Sequence, residues 1–226
     1  MFALDTLEKL KTFKERIHFA ENNLKVIGTG TSRIVFEYGD KVFKLAKNRK
    51  GIMQNKIEIL KSKSNFDLFA KIFDYSPTNK WLIMEKTFPV SFDDFEKYAN
   101  IKWEHMLGFM AECILINIPE KYKNYYKFFI KQQYKGTKSI LNNFHKSKCN
   151  KEKLMLLNNI YTYFSNGKPE FYDWADFHLL STWGLSIRDS GKQLVIIDYG
   201  VNKEVFMMYN KNFNIDEFFN LKNYDL

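Results

Sequence analysis

Between Asn23 and Ala46 three short segments follow one another with no room between them for a helix: NLKVIG (23–28), RIVFEYG (33–39) and KVFKLA (41–46). Each is rich in β-branched or aromatic residues, and the connections GTGTS and GD carry glycines that let a chain reverse direction. Parallel neighbours need a crossover of about a dozen residues or more, so strands this close in sequence must be antiparallel. Leu7, Leu10, Phe13 and Ile17 recur at helical spacing before them and predict one amphipathic helix over 4–21. After them, GIMQNKIEILKS (51–62) predicts a helix with Ile52, Ile57 and Leu60 on one side. The stretch 68–86 then reads as two strands around a turn containing Pro77 and Asn79.

The remainder is mainly helical, with candidate helices at 92–99, 103–118, 120–133, 139–144 and 151–164. A hairpin follows over 183–200, with GLSIR and QLVIID as strands around DSGK, and a last short helix is expected at 216–221. The fold class is therefore α+β. The 226 residues, 45% of them hydrophobic, suffice for a sizeable core. The longest apolar run, 106–118, contains Glu112 and is too short to cross a bilayer. Cys113 and Cys149 form neither a metal spacing nor a disulfide framework. Together with an N-terminus that lacks a sustained apolar run, these features predict a protein of a reducing, cytoplasmic compartment.

The net charge of +9 raises the possibility of a polyanionic partner. Lysine supplies nearly all of it: only Arg16, Arg33, Arg49 and Arg188 offer the fork that bidentate base and phosphate recognition favours. Basic and aromatic residues are also spread along the chain rather than interleaved in one motif, which argues against a nucleic-acid-binding module.

Chemistry concentrates at a few positions. The loop GTGTSR (28–33) places Gly28, Thr29, Gly30 and Thr31 between two strands, where backbone amides can approach a phosphate; most such loops are simply turns. Lys44 alternates with Val42 and Ala46 on a buried side of its strand and therefore needs an anion. Glu58 in the following helix is a natural partner, the alternative being two unrelated surface residues. Asp198 ends the apolar strand LVIID, with Gly200 allowing the chain to turn, and serves either as a metal ligand or as a strand-terminating acid.

In this order the features resemble the protein-kinase-like superfamily over nearly the whole chain. The resemblance implies a two-lobed fold, with an antiparallel-sheet lobe over 1–86 (an N-terminal helix, five strands, one helix) and a reduced helical lobe over 87–226. It implies a glycine-rich loop over nucleotide phosphates, Lys44 held on them by Glu58, and Glu85 at the start of a hinge that holds adenine. In DWADFHLLSTWGLSIRDSGKQLVIIDYG, Asp176 falls at the catalytic-loop aspartate and Asp198 at the aspartate that binds magnesium. The D....STWG and IDYG block is similar to small kinase-like proteins of tailed bacteriophages, which implies a host-cytoplasmic or virion-associated setting and a host or phage protein partner.

Four departures qualify what the resemblance implies. Ser32-Arg33 replaces the third loop glycine, Trp174-Ala175 replaces the His-Arg before Asp176, and Ser181 stands where an asparagine would supply a second metal ligand. Little chain follows Asp198 to dock a protein substrate. Arg33 or Tyr199 also has the reach to fill the cleft. Two readings follow: an atypical phosphotransferase using ATP and Mg2+, with Asp176 as base, on an acceptor that the residues leave open; or a pseudokinase that binds a nucleotide or a partner without catalysis.

Overall fold

The computed structural model describes residues 2–63, 67–117, 120, 123, 151–166, 177–189 and 191–211. Asp176, the 139–144 and 216–221 candidate helices and most of the 120–133 candidate lie outside them. The single helix expected over 4–21 is two, α1 (Leu4–Lys9) and α2 (Phe13–Glu21). The break is chemical. Thr12 caps α2 by accepting from the Glu15 amide at 3.1 Å, and the Glu15 carboxylate accepts from the Thr12 amide at 2.9 Å, a reciprocal box that starts a new helix inside a continuous apolar period.

The meander forms as expected. Strands β1 (Val26–Thr29), β2 (Arg33–Tyr38) and β3 (Lys41–Ala46) join β4 (Ile72–Tyr75) and β5 (Trp81–Glu85) in a five-stranded antiparallel sheet ordered β1-β2-β3-β5-β4. One face carries Phe36, Phe43, Leu45 and Trp81, and these pack against Leu7 and Ala20 of the first two helices. The opposite face receives α3 (Arg49–Ser62). Helix α3 buries Ile57, as its apolar spacing predicted, but not Leu60, and buries a polar side as well. Leu60 is 53% exposed, whereas Gln54, Asn55 and Glu58 are buried. The reason is electrostatic, because that polar side faces the cations of β2 and β3 (below).

A second sheet of three strands, β6 (Phe88–Pro89), β7 (Trp183–Arg188) and β8 (Gly191–Ile196), follows the first without a separating linker. Strand β6 leaves the end of β5 by two residues and pairs with Gly184 and Leu185. Gly184 is required there: a Cβ would stand 2.4 Å from the Thr87 hydroxyl and 2.8 Å from Ile197. The segment before β4 also docks on β8, with Ala70 donating to the Ile196 carbonyl at 2.9 Å and Ile196 donating to Leu68 at 2.8 Å. The largest apolar cluster accordingly crosses residue 86, joining Leu82 and Met84 to helices α4 (Phe92–Ala99), α5 (Trp103–Asn117) and α6 (Lys151–Asn166). Helix α7 (Lys203–Tyr209) packs back on α3 through Val205, Ile57 and Met53. Among the described residues no helix is long and apolar enough to cross a membrane.

Trp183 is the hinge of the second core. It is 1% exposed, lies edge-on to Phe95 and Trp103 at 5.3 and 6.2 Å, and donates its indole N–H to the Phe177 carbonyl at 3.0 Å. Trp183→Ala removes that packing and leaves the carbonyl without its donor. It is expected to cost about 3–5 kcal/mol, measured as a lowered urea midpoint at unchanged slope.

Candidate functional site

The first sheet, the segment after β8 and α7 line a cleft of about 550 Å³, within the range of small-molecule sites. Its inner wall is apolar: Val35 from β2, Val42 from β3, Met84 from β5 and Ile197 just after β8. Gly28, Gly30 and Thr31 of the β1–β2 loop and Ser181, Asp198 and Tyr209 also line the cleft. The lining thus offers both apolar and polar or charged groups to a ligand.

The loop is pinned from beneath. Asn48 caps α3 by accepting from Gly51 at 3.1 Å and donates to the Thr31 carbonyl at 3.2 Å. The Lys47 amide donates to the Ser32 carbonyl at 2.8 Å, and its ammonium reaches the Gly30 carbonyl at 3.0 Å. Ser32 also donates its hydroxyl to Gln54 of α3. A Cβ on Gly28 would meet only Val35, at an ordinary 3.7 Å, so its absence keeps room in the cleft and is not demanded by packing. Thr29, Gly30 and Thr31 are exposed, and the Thr29 hydroxyl stands 3.5 Å from the Lys47 ammonium.

Beneath the loop four charges meet. The Lys44 ammonium lies 3.2 and 3.1 Å from the two Glu58 oxygens and donates to the Ile197 carbonyl at 2.6 Å. The Arg33 guanidinium bridges the acids, at 2.8 Å from Glu58 and 2.6 Å from Asp198, and reaches Asn55 at 3.5 Å. Glu58 is fully buried and Arg33 and Lys44 nearly so, whereas the Asp198 side chain is 47% exposed at the cleft. Two cations and two anions leave the cluster neutral, the condition under which ionised groups survive out of water. Burial weakens the hold of Arg33 on its proton, but Glu58 and Asp198 outweigh it and raise its pKa. For Lys44 burial prevails, aided by Arg33 and only partly offset by Glu58, and its pKa is lowered. Burial raises the Asp198 carboxyl, yet Arg33 and Lys44 more than compensate and hold it below the usual aspartate range.

Several expected residues are thus brought together: Gly28, Gly30, Thr31, Lys44, Glu85, Ser181 and Asp198 all line the cleft, and Glu58 holds Lys44 from behind. The Glu85 side chain is committed elsewhere. It accepts from Arg188 at 2.7 and 2.9 Å, from the Lys71 amide at 2.9 Å and from Ser186, tying the first sheet to the second. Burial raises its carboxyl, but the bonds from Arg188 and Ser186 outweigh this and lower it. Tyr199 does not enter the cleft; it is buried and donates its hydroxyl to the Ala70 carbonyl at 2.9 Å. Gly200 is selected by contact rather than by a turn, since a Cβ would stand 2.9 Å from the Gln54 backbone oxygen.

The donor set does not fit a magnesium ion as it stands. Among the described residues no group of three or more His, Cys, Asp or Glu side chains is placed to hold a metal. One Asp198 oxygen is already the acceptor of a guanidinium, whose charge repels a second cation.

No protein-family model matches the chain, and no curated relative matches it either. Two solved structures align over most of its length. One is a ternary complex of streptomycin, ATP and APH(2'')-IIa, an aminoglycoside phosphotransferase, at 15% identity and a TM-score of 0.32, covering 83% of this chain and 70% of the other. The other is an ethanolamine kinase of Plasmodium vivax, at 13% identity and a TM-score of 0.33, covering 88% and 69%. Both neighbours are phosphotransferases; the functional reading below rests on the residues of the cleft.

The lowered Asp198 and Glu85 carboxyls give the acid limb a sign. Each folded value lies below the ordinary 3.8 or 4.5, so each pair contributes stability that is complete above those values and disappears as the pH falls through the folded ones. Urea melts from pH 7 down to pH 2 should show stability falling once the pH passes about 4.5. Glu85→Gln should start less stable at pH 7 and show a flatter acid limb than the wild type.

Proposed function

We propose that the cleft binds a nucleoside triphosphate and that the chain is a kinase-like phosphotransferase. The observation that carries this reading is the Lys44–Glu58 pair: a buried ammonium, fixed by a carboxylate from α3, at the wall of a cleft that is also lined by apolar side chains. The base would lie against Val35, Val42, Met84 and Ile197, and the phosphates would meet the loop 28–31 and Lys44. ATP supplies a transferable phosphoryl group. The protein's contribution is positioning and charge: Glu58 orients Lys44, which exchanges its bond to the Ile197 carbonyl for one to a phosphate, and Lys47 adds a cation at the loop. Asp176 is the proposed base for the acceptor hydroxyl.

One observation favours a second reading, nucleotide binding without transfer. The Arg33–Asp198 contact of 2.6 Å occupies the carboxylate that the phosphotransferase reading assigns to magnesium. The two readings separate in one experiment. ATP should raise the melting temperature of the wild type by mass action and should fail to do so for Lys44→Met, which removes the phosphate contact. Transfer of labelled γ-phosphate to water, to the protein itself or to an added hydroxyl acceptor, lost in Asp176→Ala, supports the enzyme. ATP binding with no labelled product supports the binding module. If ATP leaves the wild-type melting temperature unchanged, both readings fail.

A further inference from the structure

Asp198 is not an empty ligand. The oxygen facing α3 accepts from Arg33 at 2.6 Å, and the same guanidinium reaches Glu58 at 2.8 Å through its other terminal nitrogen. A planar fork with fixed donor directions matches two carboxylates in this way, whereas an ammonium is a single point of charge. Arg33 is also held by its backbone. It opens β2 opposite Ala46, its carbonyl accepts from Gly30 at 2.9 Å, and the preceding Ser32 is tied to Lys47 and Gln54. Swinging Arg33 out would strip the fully buried Glu58 of one of its two cations, leaving a buried charge under-compensated. The fork is therefore a permanent part of the cleft.

Its consequences run in two directions. For a divalent cation the cluster is unfavourable, because two cations, Arg33 and Lys44, already flank Asp198 and balance both acids. For an anion it offers unused donors instead of net charge. Arg33 lines the cleft, and its three contacts with Glu58, Asn55 and Asp198 do not exhaust the five N–H donors of a guanidinium. Lys47 at the Gly30 carbonyl and Lys50, stacked 4.1 Å over the Tyr209 ring, add positive charge at the loop end, where Tyr209 comes within 3.5 Å of Thr31.

We propose that Arg33 stands in for a divalent metal ion in this cleft, so that a nucleoside triphosphate binds with Arg33, Lys44 and Lys47 as its counterions and without magnesium. This rests on the nucleotide reading of the cleft and deepens it by making Arg33 the residue that replaces the metal.

The test is calorimetric titration of ATP into the full chain, in EDTA and again with excess magnesium, for the wild type, Arg33→Gln and Arg33→Lys. Circular dichroism melts of each protein confirm that it is folded. The wild type is expected to bind ATP with affinities within about twofold in the two buffers. Both variants are expected to lose at least tenfold in EDTA. Arg33→Gln, with Asp198 released, should regain affinity when magnesium is added.

A wild type that binds ATP at least tenfold more tightly with magnesium overturns the proposal while leaving the nucleotide reading intact. A wild type that binds in neither buffer, beside an Arg33→Gln that binds with magnesium, also overturns it and makes Arg33 a plug. No binding by any of the three removes the nucleotide reading itself. The wild-type comparison is decisive even if a variant does not fold.

Discussion

The structure is organised around the need to keep four buried or half-buried charges together. Arg33 comes from β2, Lys44 from β3, Glu58 from α3 and Asp198 from the segment after β8, so four separate elements must converge within hydrogen-bond distance. An ion pair removed from water is a weak source of net stability, yet losing one member is costly because its partner stays buried and uncompensated. Such a cluster specifies geometry more than it adds stability. It accounts for the polar buried side of α3 and for the need that α3 approach its neighbours closely. Gly51 meets the Ser32 carbonyl, where a Cβ would have no space, and about one turn further on Gly200 lies against Gln54, so the close approach is at the N-terminal half of α3.

The second anchor acts at the opposite side of the cleft. Arg188 of β7 joins Glu85 at the end of β5 and donates to the Phe69 carbonyl at 2.8 Å, so one guanidinium holds both sheets and the segment that docks on β8. With the charge cluster on one flank and this fork on the other, the apolar slot between them has rigid walls. A site held this way positions a ligand through its scaffold and not through a mobile loop. It also explains why Glu85 reads as a cleft residue although its side chain serves the fold.

Much of this was legible in the residues, and the limits have physical causes. Strand β3 and helix α4 fall where β-branched alternation and helical spacing put them, because local pattern and tertiary burial agree there. The break at Thr12 was written in Thr12 and Glu15, but the apolar period that runs through it hid a cap that acts through the backbone. Lys44 and Glu58 could be paired because a charge on a buried strand face requires a partner and the next helix offers one. The Arg33–Asp198 bond spans 165 positions, and no periodicity encodes a contact of that separation. Its one trace in the sequence was negative: a bulky cation where the loop pattern calls for glycine. The same blindness left the polar buried side of α3 unseen, since Gln54, Asn55 and Glu58 face charges and carry no apolar signal.

The resident guanidinium also bears on how much chemistry the cleft can perform. A metal ion neutralises phosphate charge and adapts its coordination as bonds lengthen, which makes it effective where charge develops during transfer. Arg33 can neutralise and orient, but its charge is already divided between Glu58 and Asp198, and its donors point where the fold fixes them. Groups that stabilise reactant and transition state equally improve binding without accelerating the reaction. A cleft built on Arg33 is therefore better suited to holding a nucleotide than to turning it over.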